Sequence, residues 1–328
     1  MNRVFDKRLY TPRISVAPMM DWTDQACRSF HRILARDAWL YTEMVTTGAL
    51  IYGDAPRHLI SDAMQQPVVL QLGGCDPTDM AKAAELAEAY GYAEVNINCG
   101  CPSERVQKGA FGACLMREPE TVAACVSAMN KACTLPITAK CRIGVDEADS
   151  PEFLSDFIKQ ISDAGCQRFI IHARKAWLKG LSPKENREIP PLHYDRVLWI
   201  KDQFPHLAIE INGGLRAQGD VDHWMGALDG VMIGREAYQN PWFLAQLSHT
   251  NMTREAVITA YRPHALAMME QGVPLRTVLR PMIGLYNGVR GGRHRRRMIS
   301  ELPQVDGISF DHVIEQATPQ ETPMTLAA

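Results

Sequence analysis

Two cysteines separated by one glycine stand at the end of an apolar run, in the segment "NINCGCPSERVQKGAFGACLM" of residues 96–116. A cysteine thiolate can act as a nucleophile, and a thiol with a pKa of about 8.5 is a competent general acid at neutral pH. A zinc site needs more ligands than a C-x-C pair supplies. We therefore predict acid or nucleophile chemistry here and no metal site.

The spacing of this segment indicates which of the two thiols carries the chemistry. Side chains alternate along a strand, so Asn96 and Asn98 share one face and Cys99 points to the other. Gly100 breaks the run, and the proline that follows Cys101 fixes a turn. We predict that Cys101 is released above a site and that Cys99 serves packing.

Eight short apolar runs, separated by helical stretches, are expected to position this turn. Near-continuous apolar runs are typical of parallel strands that are buried on both faces. They predict a (β/α)8 TIM barrel over residues 1–245, followed by a small all-helical domain over 246–316 and a flexible tail over 317–328. A doubly wound sheet is the competitor, but its glycine-rich loop is missing after the first run. The runs are "ISVAPM", "WLYTEMV", "VVLQLG", "EVNIN", "ITAKCRIG", "FIIHA", "AIEING" and "GVMIGR".

Polar residues or glycines follow nearly every run, and catalytic groups of a barrel gather at these strand ends. The "INGG" and "IGR" segments that close the last two runs predict a phosphate site, because glycine lets backbone N–H groups approach an anion closely. Lys140 and Gln71 could contact a flavin ring, where a lysine would stabilise the reduced anion. Pyridoxal phosphate stays open at this point, since barrels bind it and it needs a lysine.

Composition bounds the class of protein. The chain has 328 residues, nine cysteines and a net charge of −2, and no apolar run approaches the ~20 residues of a membrane helix. We expect a soluble cytoplasmic protein with reduced thiols. The segment "RGGRHRRR", residues 290–297, holds five arginines and could bind phosphates, although a solvated loop is the alternative.

Several quoted segments together resemble one family. "APMMDWTD", "YTEMV", "LQLGG", "NINCGCPSERVQKGAFGACLM", "FIIHARKAWLKGLSPKENREIPPL", "INGG" and "DGVMIGREAYQNPW" are similar to the tRNA-dihydrouridine synthases, in particular to their A-type bacterial branch. The resemblance covers residues 12 to 300 at least. Cys99 stands where the family usually has an aliphatic residue, and the middle of "KCR" (140–142) is commonly threonine. Neither departure touches a catalytic position.

The resemblance implies an FMN- and NADPH-dependent reductase that acts on uridines 20 and 20a in the D-loop of tRNA. It implies that NADPH reduces FMN, that uracil C6 receives hydride from the flavin, and that Cys101 protonates C5. The uridine must be flipped out, at a cost of a few kcal/mol, and Asn98 could hydrogen-bond its edge.

The resemblance also assigns residues to ligands. The FMN set implied by the family comprises Pro18, Met19, Met20, Gln71, Lys140, His172, Asn212, Gly213, Gly214, Gly234 and Arg235. For tRNA, the family implies Lys184 and Arg187 in the long loop 172–192, together with Arg296, Arg297 and Ser300 in the C-terminal domain. Arg174 joins this set as a basic residue of the same loop. Basic residues interleaved with an aromatic suit RNA. A monomer with no membrane partner is expected.

Two other functions remain open from the residues. FMN barrels of the dihydroorotate dehydrogenase kind also interconvert a pyrimidine and its dihydro form, but they do not need a basic C-terminal module. An RNA-binding protein that keeps a barrel shell would bind tRNA without flavin absorbance. The specificity of the quoted motifs favours the tRNA-modifying enzyme over both.

Overall fold

The computed structural model describes residues 11, 13–305 and 307–318. Eight parallel strands form a closed barrel in chain order, with β8 paired to β1, and helices alternate with them, so the predicted (β/α)8 architecture is confirmed. The strands are β1 (Arg13–Val16), β2 (Trp39–Thr46), β3 (Val68–Gly73), β4 (Glu94–Cys99), β5 (Ile137–Arg142), β6 (Arg168–His172), β7 (Ala208–Asn212) and β8 (Gly230–Ile233).

The helices begin and end where capping residues allow. Asp76 accepts a hydrogen bond from the N–H of Asp79 (2.9 Å) and caps α4, and Gly91, with φ of 76°, stands just beyond its end. The helices are α1 (Gln25–Leu34), α2 (Thr47–Ile51), α3 (Ala55–His58), α4 (Pro77–Ala89), α5 (Glu104–Lys108), α6 (Pro119–Ala132), α7 (Pro151–Asp163), α8 (Tyr194–Gln203), α9 (Gln218–Ala227), α10 (Arg235–Gln239), α11 (Trp242–Leu247), α12 (Arg254–Glu270), α13 (Leu275–Leu279), α14 (Gly292–Glu301) and α15 (Phe310–Ala317). Short 3-10 helices cover Ala63–Gln65, Gly112–Arg117, Glu185–Arg187, Arg280–Met282 and Leu302–Gln304.

A buried ionic cluster fills the base of the barrel. Arg13 donates from Nη1 to Glu94 Oε2 (2.9 Å) and from Nε to Glu210 Oε1 (2.6 Å), and Arg168 also binds Glu210. The four side chains are buried, and two positive charges balance two negative ones. Breaking such a buried set leaves an uncompensated charge, which makes each member hard to replace singly. Apolar side chains, including Val69, Ile170 and Met232, also pack in the core.

Contacts between Cα atoms divide the chain into two compact units. The first contains the residues up to Gln25 and Asp37–Gly234, and the second contains Ala26–Arg36 and the residues from Arg235 onward. These units differ from the predicted barrel (1–245) and helical domain (246–316). The helices α1 and α10 and most of α11 belong to the second unit. The predicted tail, 317–328, lies outside the described residues from 319 onward.

Packing inside the second unit explains why α1 belongs to it. Tyr261 of α12 packs edge-on against Phe30 of α1, with ring centroids 5.2 Å apart, and also lies against Phe310 of α15 at 6.5 Å. The Tyr261 hydroxyl donates to the carbonyl of Val278 (2.8 Å). One aromatic residue therefore joins helices that are far apart in sequence.

Two segments of the predicted all-helical domain have a more specific structure than that prediction indicates. The stretch 275–289 is not one continuous helix, because α13 ends at Leu279 and a 3-10 turn follows. Pro281 has no N–H to continue the helix, and Gly288 adopts a φ of 73°. The arginine-rich segment 290–297, for which a solvated loop was the alternative, enters α14 at Gly292. Among the described residues, no helix is long and apolar enough to cross a membrane.

Candidate active site

The turn that carries Cys101 leaves β4 at the mouth of the barrel. Asn98 Oδ1 accepts hydrogen bonds from the N–H groups of Gly100 (3.1 Å) and Cys101 (3.0 Å), and the N–H of Ala113 donates to the Cys101 carbonyl (2.9 Å). Cys101 is half-buried, whereas Cys99 is fully buried. Burial raises the pKa of the Cys99 thiol well above its usual value. The predicted burial of Cys99 is thus confirmed.

Gly112 lies directly against this turn. It has a φ of 81°, and a Cβ atom at this position would stand 2.5 Å from the Cys101 carbonyl oxygen and 2.4 Å from Val106 Cγ1. Both distances are shorter than any real contact of a Cβ atom. Only glycine therefore fits here, both for the backbone angle and for the close approach to Cys101.

Arg142, at the end of β5, holds the other side of the turn. Its Nε donates to the carbonyl of Gly100 (2.8 Å), and its Nη1 donates to the carbonyls of Lys175 (3.0 Å) and Asn186 (2.9 Å). Burial lowers the pKa of Arg142 to about 10, which still leaves it charged at neutral pH. The sequence placed Arg142 at a strand end but assigned it no role, since its carbonyl partners are visible only in the fold.

A chain of side-chain hydrogen bonds connects the turn with the base of the barrel. Asn98 Nδ2 donates to Gln71 Oε1 (2.8 Å), and Gln71 Nε2 donates to Asn96 Oδ1 (2.8 Å). Asn96 Nδ2 then donates to Thr138 Oγ1 (2.9 Å), and this hydroxyl donates to Glu94 Oε1 (2.7 Å). The two backbone N–H groups occupy both acceptor positions of Asn98 Oδ1, so its amide can offer a ligand only the remaining N–H donor.

Lys140 lies inside the mouth as a half-buried cation. Its Nζ donates to Asn212 Oδ1 (3.0 Å), and Asn212 Nδ2 donates to the carbonyl of Met232 (2.8 Å). Burial, and then the nearby charge of Arg142, lower the pKa of Lys140 to about 8. Within the described part of the chain Lys140 bonds an amide oxygen and no carboxylate. An anionic or electron-rich ligand would satisfy this group.

The turn after β7 presents bare backbone to the neighbouring side chains. Gly213 and Gly214 have φ values of 115° and 76°, and a Cβ atom would stand 2.8 Å from His172 Cδ2 at the first and 2.5 Å from Tyr194 Oη at the second. Burial lowers the pKa of His172 well below its usual value, so its imidazole is neutral. A neutral imidazole beside exposed backbone suits a polar ligand with an anionic end.

The remaining residues of the expected FMN set lie on two segments. Met19 heads a tight turn after β1, where its carbonyl accepts from the N–H groups of Trp22 and Thr23, and Met20 is 55% exposed. Gly234 leaves open space, since a Cβ atom there would meet nothing closer than 4.0 Å. Arg235 begins the C-terminal segment of the second unit. The roles of these residues, and that of Pro18, stay predictions.

The long loop 172–192 is organised by one buried amide. Asn186 Nδ2 donates to the carbonyls of Trp177 (2.9 Å) and Leu181 (3.1 Å), and its Oδ1 accepts from the N–H of Trp177 (2.7 Å). Lys184 and Arg187 flank it and are exposed. The buried asparagine therefore fixes the backbone from which these two basic side chains project.

Two other residues of the loop are engaged within it. Arg174 Nη1 donates to the carbonyl of Glu188 (3.3 Å) and to that of Pro190. Lys175 Nζ stands 4.2 Å from the ring centre of Trp177 and 3.0 Å from Asp149 Oδ2. The structure thus gives Arg174 a role in shaping the loop, and its predicted contact with RNA stays a prediction.

Four residues of α14 share one exposed face, at spacings of three, four and seven residues. We call this surface the basic face of α14, and its members are Arg293, Arg296, Arg297 and Ser300. Arg295 points elsewhere: its guanidinium stacks on the Tyr286 ring at 3.7 Å and pairs with Glu255 at 3.4 Å. Only part of the arginine cluster is therefore available to a ligand.

The chain is similar to known proteins over nearly its whole length. A family model described as dihydrouridine synthase (Dus) matches residues 15–318. The chain is 50% identical over 319 residues to the tRNA-dihydrouridine(20/20a) synthase of Shewanella oneidensis, covering 95% of each chain. It is 51% identical over 316 residues to the protein of the same name from Escherichia coli K12, covering 94% of this chain and 91% of that one.

A third relative widens the range of organisms. The tRNA-dihydrouridine(20/20a) synthase of Vibrio cholerae is 50% identical over 313 residues, covering 93% of this chain and 95% of its own. The similarity runs through the barrel and the helical part, and it includes the segment of Cys101. The family resemblance drawn from the motifs is confirmed, and the chain belongs to the dihydrouridine synthase family of oxidoreductases.

Proposed function

We propose that this protein reduces the C5=C6 bond of uridines 20 and 20a in the tRNA D-loop to give 5,6-dihydrouridine, with FMN as bound cofactor and NADPH as reductant. The tRNA substrate and the positions come from the names of relatives about half identical to this chain. Family membership favours this function over the reduction of free pyrimidines and over RNA binding alone.

The residues at the mouth fit FMN. Lys140 is a half-buried cation without a carboxylate partner in the described chain, and it could donate to a ring with an electron-rich edge. Bare glycine backbone beside neutral His172 suits the phosphate end. When bound, FMN supplies a hydride to uracil C6. The residues that would hold it are Pro18, Met19, Met20, Gln71, Lys140, His172, Asn212, Gly213, Gly214, Gly234 and Arg235.

Cys101 acts as the proton donor. Addition of hydride at C6 leaves enolate-like charge at C5, and a positioned acid near that carbon contributes about 10²–10⁴-fold in rate. Its sulfur carries the proton to C5 and is left as a thiolate. A negative charge on Cys101 partly opposes the lowering of the pKa by burial at both Lys140 and Arg142, so these two cations are near enough to stabilise the thiolate. Asn98 offers one N–H to an oxygen at the uracil edge.

Each unit carries basic residues that can contact RNA phosphates. Lys184 and Arg187 project from the loop 172–192 of the first unit, and the basic face of α14 lies on the second. Phosphate contacts of this kind supply affinity that falls as salt rises. The binding energy also offsets the few kcal/mol needed to unstack and flip the uridine.

The observation that carries the proposal is the hydrogen-bonded turn that presents Cys101 at the mouth of the barrel, in a member of the dihydrouridine synthase family. Dihydrouridine should be mapped in tRNA from cells that lack the protein. We expect it to disappear from positions 20 and 20a and to return with the wild-type gene but not with Cys101→Ala. Unchanged dihydrouridine at both positions would refute the substrate assignment. Purified protein should also be yellow and should leave orotate unreduced.

A further inference from the structure

We infer that Arg142 is a positioning residue that ties the turn of the proton donor to the RNA-facing loop 172–192, so that Cys101 is held in register with the bound tRNA. The inference rests on the proposed function. It adds a residue that acts through Cys101 rather than on the flavin or the uracil.

The turn that carries Cys101 is fully hydrogen-bonded along its backbone. Each backbone polar group of Gly100 and Cys101 has a partner: Asn98 takes both N–H groups, Ala113 takes the Cys101 carbonyl, and Arg142 takes the Gly100 carbonyl. Asn98 belongs to the same strand as the turn. Arg142 is the contact from the neighbouring strand, so it fixes the turn relative to the barrel wall.

The guanidinium of Arg142 also contacts the loop 172–192. Nη1 of Arg142 binds the carbonyls of Lys175 and Asn186 at 3.0 and 2.9 Å. Asn186 is the amide that organises the loop, and Lys184 and Arg187 stand beside it. Three carbonyl oxygens from two segments thus converge on one planar fork. A lysine ammonium lacks this fixed geometry and cannot replace it by charge alone.

A direct consequence concerns tRNA binding. A phosphate that binds Lys184 or Arg187 exerts a force on the loop backbone that Asn186 holds in place. This backbone contacts Arg142, and Arg142 contacts the peptide before Cys101. The flavin contacts predicted for Lys140 and His172 do not depend on this path. Loss of the fork should therefore impair proton delivery and leave reduction of the flavin intact.

The test separates the two half-reactions in the holoenzyme. Arg142→Gln and Arg142→Lys are prepared alone and together with Cys101→Ala. We expect wild-type flavin content in both variants, and a wild-type rate of flavin reduction by NADPH in Arg142→Lys, which keeps the positive charge near Lys140 and His172. Reoxidation of the reduced flavin by saturating tRNA should slow about 10- to 100-fold, the size expected for a misplaced catalytic group. When Cys101 is already alanine, replacing Arg142 should slow flavin reoxidation by less than about threefold more. The effects of two residues that act through one another are not additive.

Other results would overturn the inference. Multiplicative losses in the double variants would show that Arg142 acts independently of Cys101, and loss of flavin would show a role in cofactor binding. If Arg142→Gln fails to fold, Arg142→Lys alone is tested. Flavin reoxidation at the wild-type rate in Arg142→Lys would show that the guanidinium geometry is not needed. Arg117→Gln, which removes an exposed ion pair with Asp146 next to the same loop, is the matched control and should be unchanged. A wild-type enzyme that tRNA fails to reoxidise would refute the proposed function instead.

Discussion

Replacing Lys140 with methionine should stabilise the flavin-free protein at neutral pH. Burial lowers the pKa of Lys140 from 10.5 to about 8, and each unit corresponds to about 1.4 kcal/mol, so the charged form destabilises the fold by about 3 kcal/mol. Loss of the hydrogen bond to Asn212 offsets about 1 kcal/mol of this. The net gain for Lys140→Met near pH 7 is therefore about 2 kcal/mol in the free energy of unfolding.

The stability difference between Lys140→Met and the wild type should depend on pH. The folded pKa is lower than the unfolded one, so between about pH 8 and 10.5 the unfolded wild-type chain binds more protons than the folded chain. Wild-type stability then rises with pH relative to the variant, and the advantage of Lys140→Met shrinks through this window. Above it, the variant should be the less stable protein by about 1 kcal/mol, because only the lost hydrogen bond remains.

Urea unfolding of both flavin-free proteins from about pH 7 to 10.5 measures this difference directly. The buried thiols titrate in both proteins, and their contribution cancels in the comparison. Lys82→Met, on the exposed surface of α4, controls for the methionine itself. A stability difference between Lys140→Met and wild type that stays constant with pH would refute the reasoning. Added FMN should stabilise the wild type more than the variant, since the variant lacks the cation that would contact it.

Three further outcomes follow from the site. Cys101→Ala should keep flavin and tRNA binding but lose turnover by about 10²–10⁴-fold, whereas Cys99→Val should be nearly silent in a dihydrouridine assay; equal losses would show that the wrong thiol was chosen. Gly112→Ala should reduce turnover with unchanged flavin content, because the new methyl group displaces the Cys101 carbonyl; full activity would show that the turn tolerates movement. Replacing the arginines of the basic face of α14 with glutamine should flatten the salt dependence of tRNA affinity, whereas Arg295→Gln should instead lower the melting temperature of the second unit. If the salt dependence of tRNA affinity is unchanged in the first variant, the basic face of α14 is not part of the RNA interface.

The sequence predicted the barrel because its strand signal is local. Each buried strand reads as a short apolar run, and the residue after the run lies at the mouth whatever the rest of the chain does. Alternation along β4 predicted the burial of Cys99 in the same way. Such inferences need only neighbouring residues, and so they survive without knowledge of tertiary contacts.

The contacts that hold the site together could not be predicted from neighbouring residues in the sequence. Arg142 binds carbonyls at Gly100 and Asn186, which carry no sequence signature, because any residue supplies a carbonyl oxygen. The ionic cluster joins Arg13 to Glu210 across most of the chain. The prediction of an all-helical domain over 246–316 did not locate the break after Leu279, where Pro281 has no N–H to continue the helix.

One residue connects the two reactive components of the proposed mechanism. Gln71 belongs to the expected FMN set, and its amide binds both Asn96 and Asn98. Asn98 in turn holds the N–H of Cys101, so the proton donor and the cofactor pocket share a hydrogen-bonded frame that continues through Thr138 to the ionic cluster. Hydride and proton must reach adjacent carbons of one ring, and small displacements of either donor slow the reaction strongly. A buried polar network anchored at the closed end of the barrel provides the required rigidity, because each of its members is satisfied only in this arrangement.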